Sequence, residues 1–427
     1  MPTTRNAGVT DAHRTMIVDA LADPKPFYCE GVWTLSPDHM NLYIAKDPHR
    51  VCLAKGGATT ADLEKLAAAC APATFGMNQN NVYDESYRKA GKLDRADFGI
   101  NLDIVGSGLL HSVQNGLFGW EKEPRNIKAE LYKLNVYKSG SFFKAHKDTP
   151  RGDKMFGSLV LTFPTEHQGG ALVLRHDGRE TLHDPSKAAY TIPEQVSWVA
   201  FYSDVEHEVL PVSSGYRVTL TYNLYFLTSK ASSRPSSATL PFVNPVVTAF
   251  ESILADPAFM PHGGRLGFGL KHQYPVPMHK EWDLPELLIP VLKGGDSALF
   301  HAADAAGLEP CLALIYNSYD SGTYLMEGVL PEWNEQLDDT SDLFEDVNAE
   351  LLDGGDADTD SDWASDDGRG KSGKESKPNK GVEWITPRND KTRIKTSYVT
   401  YGNEVALCEI YGDVVLILTV PPASKRV

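Results

Sequence analysis

His146 and Asp148 stand one residue apart, His207 follows much later in the chain, and Arg217 comes ten residues after it. Two imidazoles and one carboxylate are the donor set of a facial triad for non-haem Fe(II), which leaves three metal positions open. Two of those suit a bidentate 2-oxo acid and the third suits O2. Arg217 offers a planar cationic fork that can hold the far carboxylate of a dicarboxylic co-substrate such as 2-oxoglutarate. Singly, each residue has an ordinary reading: His146 as a strand cap, Asp148 as a turn former before Thr149 and Pro150, His207 at a sheet end, Arg217 paired with one of many acids. Their order within one strand pattern favours the metal reading.

The elements that must position them are short strands. Leu131 to Tyr137 alternates and is rich in aromatic and β-branched residues, Lys138 to Gly140 signals a turn, and the chain resumes as FFKAHKD. If His146 to Asp148 is extended, the two ligands share a face and Lys147 takes the other. Val196 to Tyr202 reads as a strand, followed by a strand carrying His207, a turn at PVSSG and a long strand from Tyr216 to Phe226. A hairpin there places Arg217 opposite the His207 strand. Between the two halves, GSLVLTF (Gly157 to Phe163) and GGALVLRH (Gly169 to His176) are short apolar strands with a Gly-Gly break, suited to a small barrel.

The segment from Tyr132 to Phe226 resembles the prolyl 4-hydroxylase-like group of Fe(II)/2-oxoglutarate dioxygenases. The resemblance is carried by the Tyr137–Gly140 approach, by HKD with Thr149 after Asp148, by Gly169-Gly170, and by FYSD.EHEV.PV..GYR with the hydrophobic strand that follows. It implies a double-stranded β-helix with His146 and Asp148 on the second core strand, His207 on the seventh and Arg217 on the eighth. It also implies that Tyr137 hydrogen-bonds 2-oxoglutarate, and that Thr162 stands where some relatives use a second tyrosine. Many collagen-type relatives carry lysine where this chain has Arg217, which leans toward the oxygen-sensing and ribosomal branches. The implied cofactors are Fe(II), 2-oxoglutarate and O2, with ascorbate as a candidate reductant. The implied reaction hydroxylates an unactivated C–H bond and releases succinate and CO2. A prolyl residue of a protein is the leading substrate; a small molecule or free amino acid is the alternative, because fold and iron site do not determine substrate. A reading of another class is a 2-oxoglutarate- or O2-responsive binding protein with little turnover.

Other histidines lack the pattern. His279 and Glu281 mimic H-x-E without a third ligand, no arginine follows His301 at the required spacing, and His176 and His183 have adjacent aspartates that would diverge on a strand. These read as surface or loop residues, with Arg175 and His176 either facing substrate at the barrel mouth or ending a solvated strand. There is no G-x-S-x-G elbow and no phosphate-binding glycine loop. No basic patch with interleaved aromatics lies near the core, which disfavours nucleic acid as a partner.

The 427 residues suggest two domains. The expected fold is α+β, mainly β: a double-stranded β-helix (jelly-roll) core with buttressing N-terminal helices and a C-terminal α+β accessory region. The expected boundaries are a buttress over 1–129, a core over 130–228, a Ser/Pro-rich linker over 229–241 and an accessory domain over 242–427. Helices are expected at Thr60–Ala71, at YDESYRKAGKL from Tyr83, near Val246 to Leu254, and at ALFHAADAAGL. VALCEIYGDVVLILTVP reads as two strands joined at YGD, and this region is either a second, metal-free barrel or a smaller α+β domain. The net charge of −16 is concentrated: 15 acids and no Lys or Arg lie between Glu332 and Gly368. With the basic low-complexity run after it, 332–381 reads as a solvated disordered insert, or as an acidic arm that attracts a basic protein. The five cysteines are scattered and read as reduced thiols. Without an apolar leader or a membrane span, the expected location is cytoplasmic or nuclear, which disfavours a collagen hydroxylase.

Overall fold

In the computed structural model the described residues are 8–22, 25–45, 47–77, 80–121, 125–186, 194–227, 245–276, 284–318, 322–330, 333–337, 342–345, 347, 349–353, 381–401 and 405–426. The chain forms two compact units, one of residues 25–236 and one of residues 1–24 with 237–427. Residues 1–24 thus cluster with the C-terminal part, whereas the sequence suggested that they buttress the core.

The 25–236 unit is a double-stranded β-helix built on two large antiparallel sheets, and a three-stranded sheet (Asp47–Cys52, Asn41–Ile44, Phe98–Ile100) and a two-stranded one (Phe75–Met77, Asn80–Val82) complete it. The larger sheet runs in the order Tyr28–Thr34, Gln195–Tyr202, Met155–Thr162, Val212–Phe226, Ile127–Lys138, Gly91–Asp94, Ala71–Pro72. The smaller runs Arg179–His183, Leu172–His176, Glu206–Val209, Phe142–His146, Arg88–Lys89. Alternation along the central strands divides the larger sheet into two chemically different faces. Leu134, Val136, Leu159, Leu161, Val218 and Leu220 are all buried on one face. Asn135, Tyr137, Ser158, Thr162, Arg217 and Thr219 are also buried, and they form the other. Register places Tyr137 opposite Arg217, Asn135 opposite Thr219, and Thr162 opposite Thr219 on the other side. A buried face this polar is costly unless it is hydrogen-bonded or serves a ligand.

The apolar side is covered by the helix Leu109–Phe118, which buries Leu109, Leu110, Val113, Leu117 and Phe118. Phe118 packs on Phe156, Tyr202 and Phe226, with ring centroids 5.4, 6.0 and 5.5 Å away. Burial of each such side chain stabilises the fold by about 1.5–3 kcal/mol. The helix Thr60–Ala69 is closed at its start by a capping box, in which Thr59 accepts from the Asp62 backbone and Asp62 accepts from that of Thr59.

Three local expectations are corrected. The run from Tyr83 is not a helix: Asp84 takes the Ser86 and Tyr87 backbone amides into a turn, and Arg88–Lys89 and Gly91–Asp94 then pair as strands. Sheet pairing at this edge overrides the local helical pattern. The strand that carries Arg217 begins at Val212, inside the expected PVSSG turn, and pairs with the Tyr137 strand. The His207 strand lies in the smaller sheet between Leu172–His176 and Phe142–His146. Arg217 therefore does not face the His207 strand across a hairpin.

The second unit is α+β. Its sheet runs Trp333–Leu337, Arg393–Tyr401, Val405–Val420, Glu309–Ser318, Gly322–Met326, Glu350–Asp353, with Gly264–Gly269 and Val382–Trp384 branching from it. The helices Pro245–Leu254 and Gly294–Ala305 occupy the expected places. Val405–Val420 is one strand rather than two: Gly412 stays in the ladder opposite Tyr316 and Ile394. A Cβ at Gly412 would meet the Tyr316 ring at 2.7 Å, so the absent side chain is what lets the strand pass. Within 332–381, the strands Trp333–Leu337 and Glu350–Asp353 join this sheet, so its first part is structured; residues 354–380 and the linker 229–241 lie outside the described residues. Among the described residues, no helix is long and apolar enough to cross a membrane.

Candidate metal and co-substrate site

His146 is the last residue of its strand and is register partner to His207 on the neighbouring strand, with ring centroids 4.1 Å apart. Asp148 lies two residues past the strand end, its backbone amide donating to the Ser203 carbonyl at 3.1 Å. One donor atom from each of His146, Asp148 and His207 lies within 4.8 Å of the other two, and Asp148 Oδ1 is 3.7 Å from His207 Nε2. The other atoms of the three side chains are already engaged. His146 Nδ1 lies 2.8 Å from the Lys144 carbonyl and His207 Nδ1 lies 3.0 Å from that of Val205. A donated Nδ1–H fixes the tautomer and leaves each Nε2 lone pair for a metal. Ser158 donates to Asp148 Oδ2 at 2.6 Å. Burial, and next the nearby His207, push the His146 imidazole down to about 2, so it is held in the neutral, ligating form. Phe143 stacks on His146 at 3.5 Å and Phe201 lies 4.7 Å from His207, so an aromatic ring covers part of each imidazole.

At the Tyr137 end of the polar face, the Arg217 guanidinium sits 5.3 Å from the Tyr137 ring centroid and the side chain is 2 % exposed. Gly170 makes room for it: a Cβ there would lie 2.8 Å from Arg217 Cδ, and φ is +72°. Thr162 is buried, and its hydroxyl has no hydrogen-bond partner among the described residues. The sequence gave no reason to single out His167. Its Nδ1 lies 2.8 Å from the Thr165 carbonyl, while Nε2 is buried and unpartnered among the described residues. Burial first, and the Arg217 charge as a smaller cause, lower the His167 pKa. A buried cation beside polar groups with unused hydrogen-bonding capacity fits a dicarboxylate.

The remaining histidines are accounted for differently. His183 is buried rather than on the surface, held between Glu30 and Ser197. Arg175 pairs with Glu180 at 2.7 Å and Glu208 at 3.2 Å, which explains it without a ligand. His301 is exposed on the helix Gly294–Ala305, and His279 and Glu281 lie outside the described residues.

Residues 132–225 match the family model described as the 2OG-Fe(II) oxygenase superfamily. Among solved structures, a Pseudomonas putida prolyl-4-hydroxylase is 22% identical, covering 50% of this chain and 98% of its own, at a TM-score of 0.30. A Trichoplax adhaerens prolyl hydroxylase, solved in complex with a hypoxia inducible factor oxygen degradation domain peptide fragment, is 17% identical over 50% of this chain and 88% of its own, at 0.28. A viral collagen prolyl hydroxylase from Paramecium Bursaria Chlorella virus-1 is 10% identical over 48% and 97%, at 0.24. No curated protein matches the chain significantly. The family of this segment implies Fe(II), 2-oxoglutarate and O2, and the chain carries, over residues 132–225, an oxygenase domain of the 2OG-Fe(II) superfamily.

Proposed function

We propose that His146, Asp148 and His207 hold Fe(II), that Arg217 with Tyr137, Thr162 and His167 receives 2-oxoglutarate, and that the enzyme hydroxylates a prolyl residue of a protein or peptide. The observation that carries the metal reading is the convergence of three donor atoms within 4.8 Å, with both His Nδ1 atoms turned to carbonyls. Bound Fe(II) and 2-oxoglutarate supply the oxidation, in which O2 is consumed, a C–H bond is hydroxylated, and succinate and CO2 leave. The chain does the rest. Ser158 fixes the Asp148 carboxylate by donating a hydrogen bond to Oδ2, so Oδ1 stays turned toward His207. Phe143 and Phe201 each cover part of one imidazole and limit its contact with water. Arg217 fixes the far end of the co-substrate, and with it the orientation of the near end. The prolyl assignment rests on the resemblance of the Tyr132–Phe226 segment, and ascorbate is the reductant that suits such a site.

The test is an anaerobic titration of apo-protein with Fe(II) and then 2-oxoglutarate, followed by the visible band of the chelate. The expected outcome is a band in wild type, none in His207→Ala, and a much higher 2-oxoglutarate requirement in Arg217→Ala. A well-folded wild type without a band overturns the metal reading. Mass spectrometry of candidate peptides for a dependent +16 Da prolyl product then tests the substrate.

A further inference from the structure

A cavity of about 720 Å³ opens beside His146 and Asp148, and its wall includes Arg88, Lys133 and Arg151. Lys133 is 9 % exposed and Arg88 is 5 % exposed. Cations this buried are almost always paired with an acid. Here, among the described residues, neither Lys133 nor Arg88 has a carboxylate partner. The Lys133 ammonium lies 4.0 Å from the Tyr132 ring centroid, and the Arg151 guanidinium lies 4.3 Å from the same ring. Arg88 donates to the Thr74 carbonyl at 2.6 Å and to Asn135 Oδ1 at 2.9 Å, stacks 4.2 Å over Phe143, and keeps a buried Nε without a partner.

The acids of the same cavity are taken up elsewhere. Asp94 pairs with Lys92 at 2.7 Å, Asp84 accepts the Ser86 amide at 2.8 Å, and Asp148 belongs to the triad. Burial, with Arg88, Lys92 and Arg151 adding to it, pushes the Lys133 ammonium down to about 7, against the pull of Asp94. That is the state of a cation lacking its counter-ion, and an anion entering the cavity reverses it.

We propose that Lys133 and Arg88 form a subsite for a carboxylate carried by the oxidised substrate, a reading that rests on the triad being the iron site. Lys133 stands four residues before Tyr137 on the same strand, about 13 Å along it at the rise of a β-strand. The subsite is thus a separate row from the Tyr137–Arg217 pair that receives 2-oxoglutarate. A carboxylate matches the planar Arg88 guanidinium beside the Lys133 ammonium. The carboxylate comes either from an acidic side chain flanking the reacting residue of a peptide or from the α-carboxylate of a free amino acid.

The experiment uses the full chain loaded anaerobically with Fe(II) and 2-oxoglutarate, with the chelate band recorded first. Calorimetric titration then compares acetylated Gly-Pro-Glu-Gly and Gly-Glu-Pro-Gly amides with their Gln counterparts, and free L-proline with L-prolinamide. At least one carboxylate probe binds tenfold or more tightly than its amide, and the ratio falls to about one in Lys133→Met, whose 2-oxoglutarate requirement is unchanged. The pair that shows the ratio identifies the source of the carboxylate. The subsite is refuted by equal binding of every pair in wild type, by no binding of any probe, or by a ratio that survives Lys133→Met. It is also refuted if Lys133→Met needs more 2-oxoglutarate, which assigns Lys133 to the co-substrate instead. Should Lys133→Met fail to fold by circular dichroism, Lys133→Gln takes its place. A wild type without the chelate band defeats the iron reading alone, and the same titrations on metal-free protein still decide whether the carboxylate binds.

Discussion

Ser158 donates a 2.6 Å hydrogen bond to one oxygen of Asp148, whose other oxygen lies 3.7 Å from His207 Nε2. The two residues sit on different segments, and the bond is what aims a carboxylate that lies beyond the end of its strand. Partners of metal ligands of this kind are worth about 10–100-fold in metal affinity. Ser158→Ala is expected to weaken Fe(II) binding by that factor while preserving the fold, because the Ser158 backbone stays paired with Phe201 and Asn223. Competition titration against a chromophoric chelator measures it, and an unchanged Fe(II) affinity would show that Asp148 needs no such support.

Gly170→Ala tests the co-substrate end without touching a polar group. The new Cβ would lie 2.8 Å from both Arg217 Cδ and Val212 Cγ2, at a φ of +72° that costs a non-glycine residue about 1–2 kcal/mol. Arg217 has to shift. The 2-oxoglutarate concentration at half-saturation is expected to rise about tenfold or more, with Fe(II) affinity held. Equal loss of both would point instead to collapse of the barrel.

The spacing of His146, Asp148 and His207 stood out because a metal demands residue types that chance seldom assembles in order. His146, Asp148 and His207 come together, and Tyr137, Thr162 and Arg217 gather on one polar face. What could not be read was pairing. Nothing local tells Val212–Phe226 to pair with the distant Ile127–Lys138 rather than with the adjacent Glu206–Val209, because that choice is made by sheet closure. The Tyr83 run and the Gly412 strand failed for related reasons: long-range ladders overrode a local helix pattern and a local turn signal. His167 and Lys133 carry no motif at all: His167 is marked by a buried Nε2 that has no partner among the described residues, and Lys133 by the burial of its cation.

Lys133 makes a stability prediction with a definite sign. Its ammonium titrates near 7 when folded, under burial and the Arg88, Lys92 and Arg151 charges opposed by Asp94, against about 10.4 in an unfolded chain. Between those values the unfolded state binds more protons, so stability rises with pH across the window, and the full penalty applies below about pH 7. Lys133→Met removes the penalty. It is expected to stabilise the protein by up to a few kcal/mol at pH 6, with the gain shrinking toward pH 10. Urea midpoints of both proteins from pH 6 to 10 measure the difference; parallel curves would mean that Lys133 is not held in this state.

The cysteines give a readout of the packing that supports the barrel. Among the described residues, none of Cys29, Cys52, Cys70, Cys311 and Cys408 is in a disulfide. Cys29 and Cys70 are pushed up to about 12, in both cases first by burial. Cys29 Sγ lies 3.7 Å from the Val113 carbonyl and Cys70 Sγ lies 3.2 Å from that of Leu66, each against a helix that packs on the larger sheet. Only the thiolate attacks an alkylating agent, so at pH 8 the reactive fraction of either residue is about a thousandfold below that of an exposed cysteine. Iodoacetamide labelling followed by peptide mass spectrometry is expected to leave Cys29 and Cys70 unmodified in folded protein and to label both in urea. Rapid labelling of either one under native conditions would mean that its helix opens from the sheet on the timescale of the reaction, and that the barrel is buttressed less firmly than its packing implies.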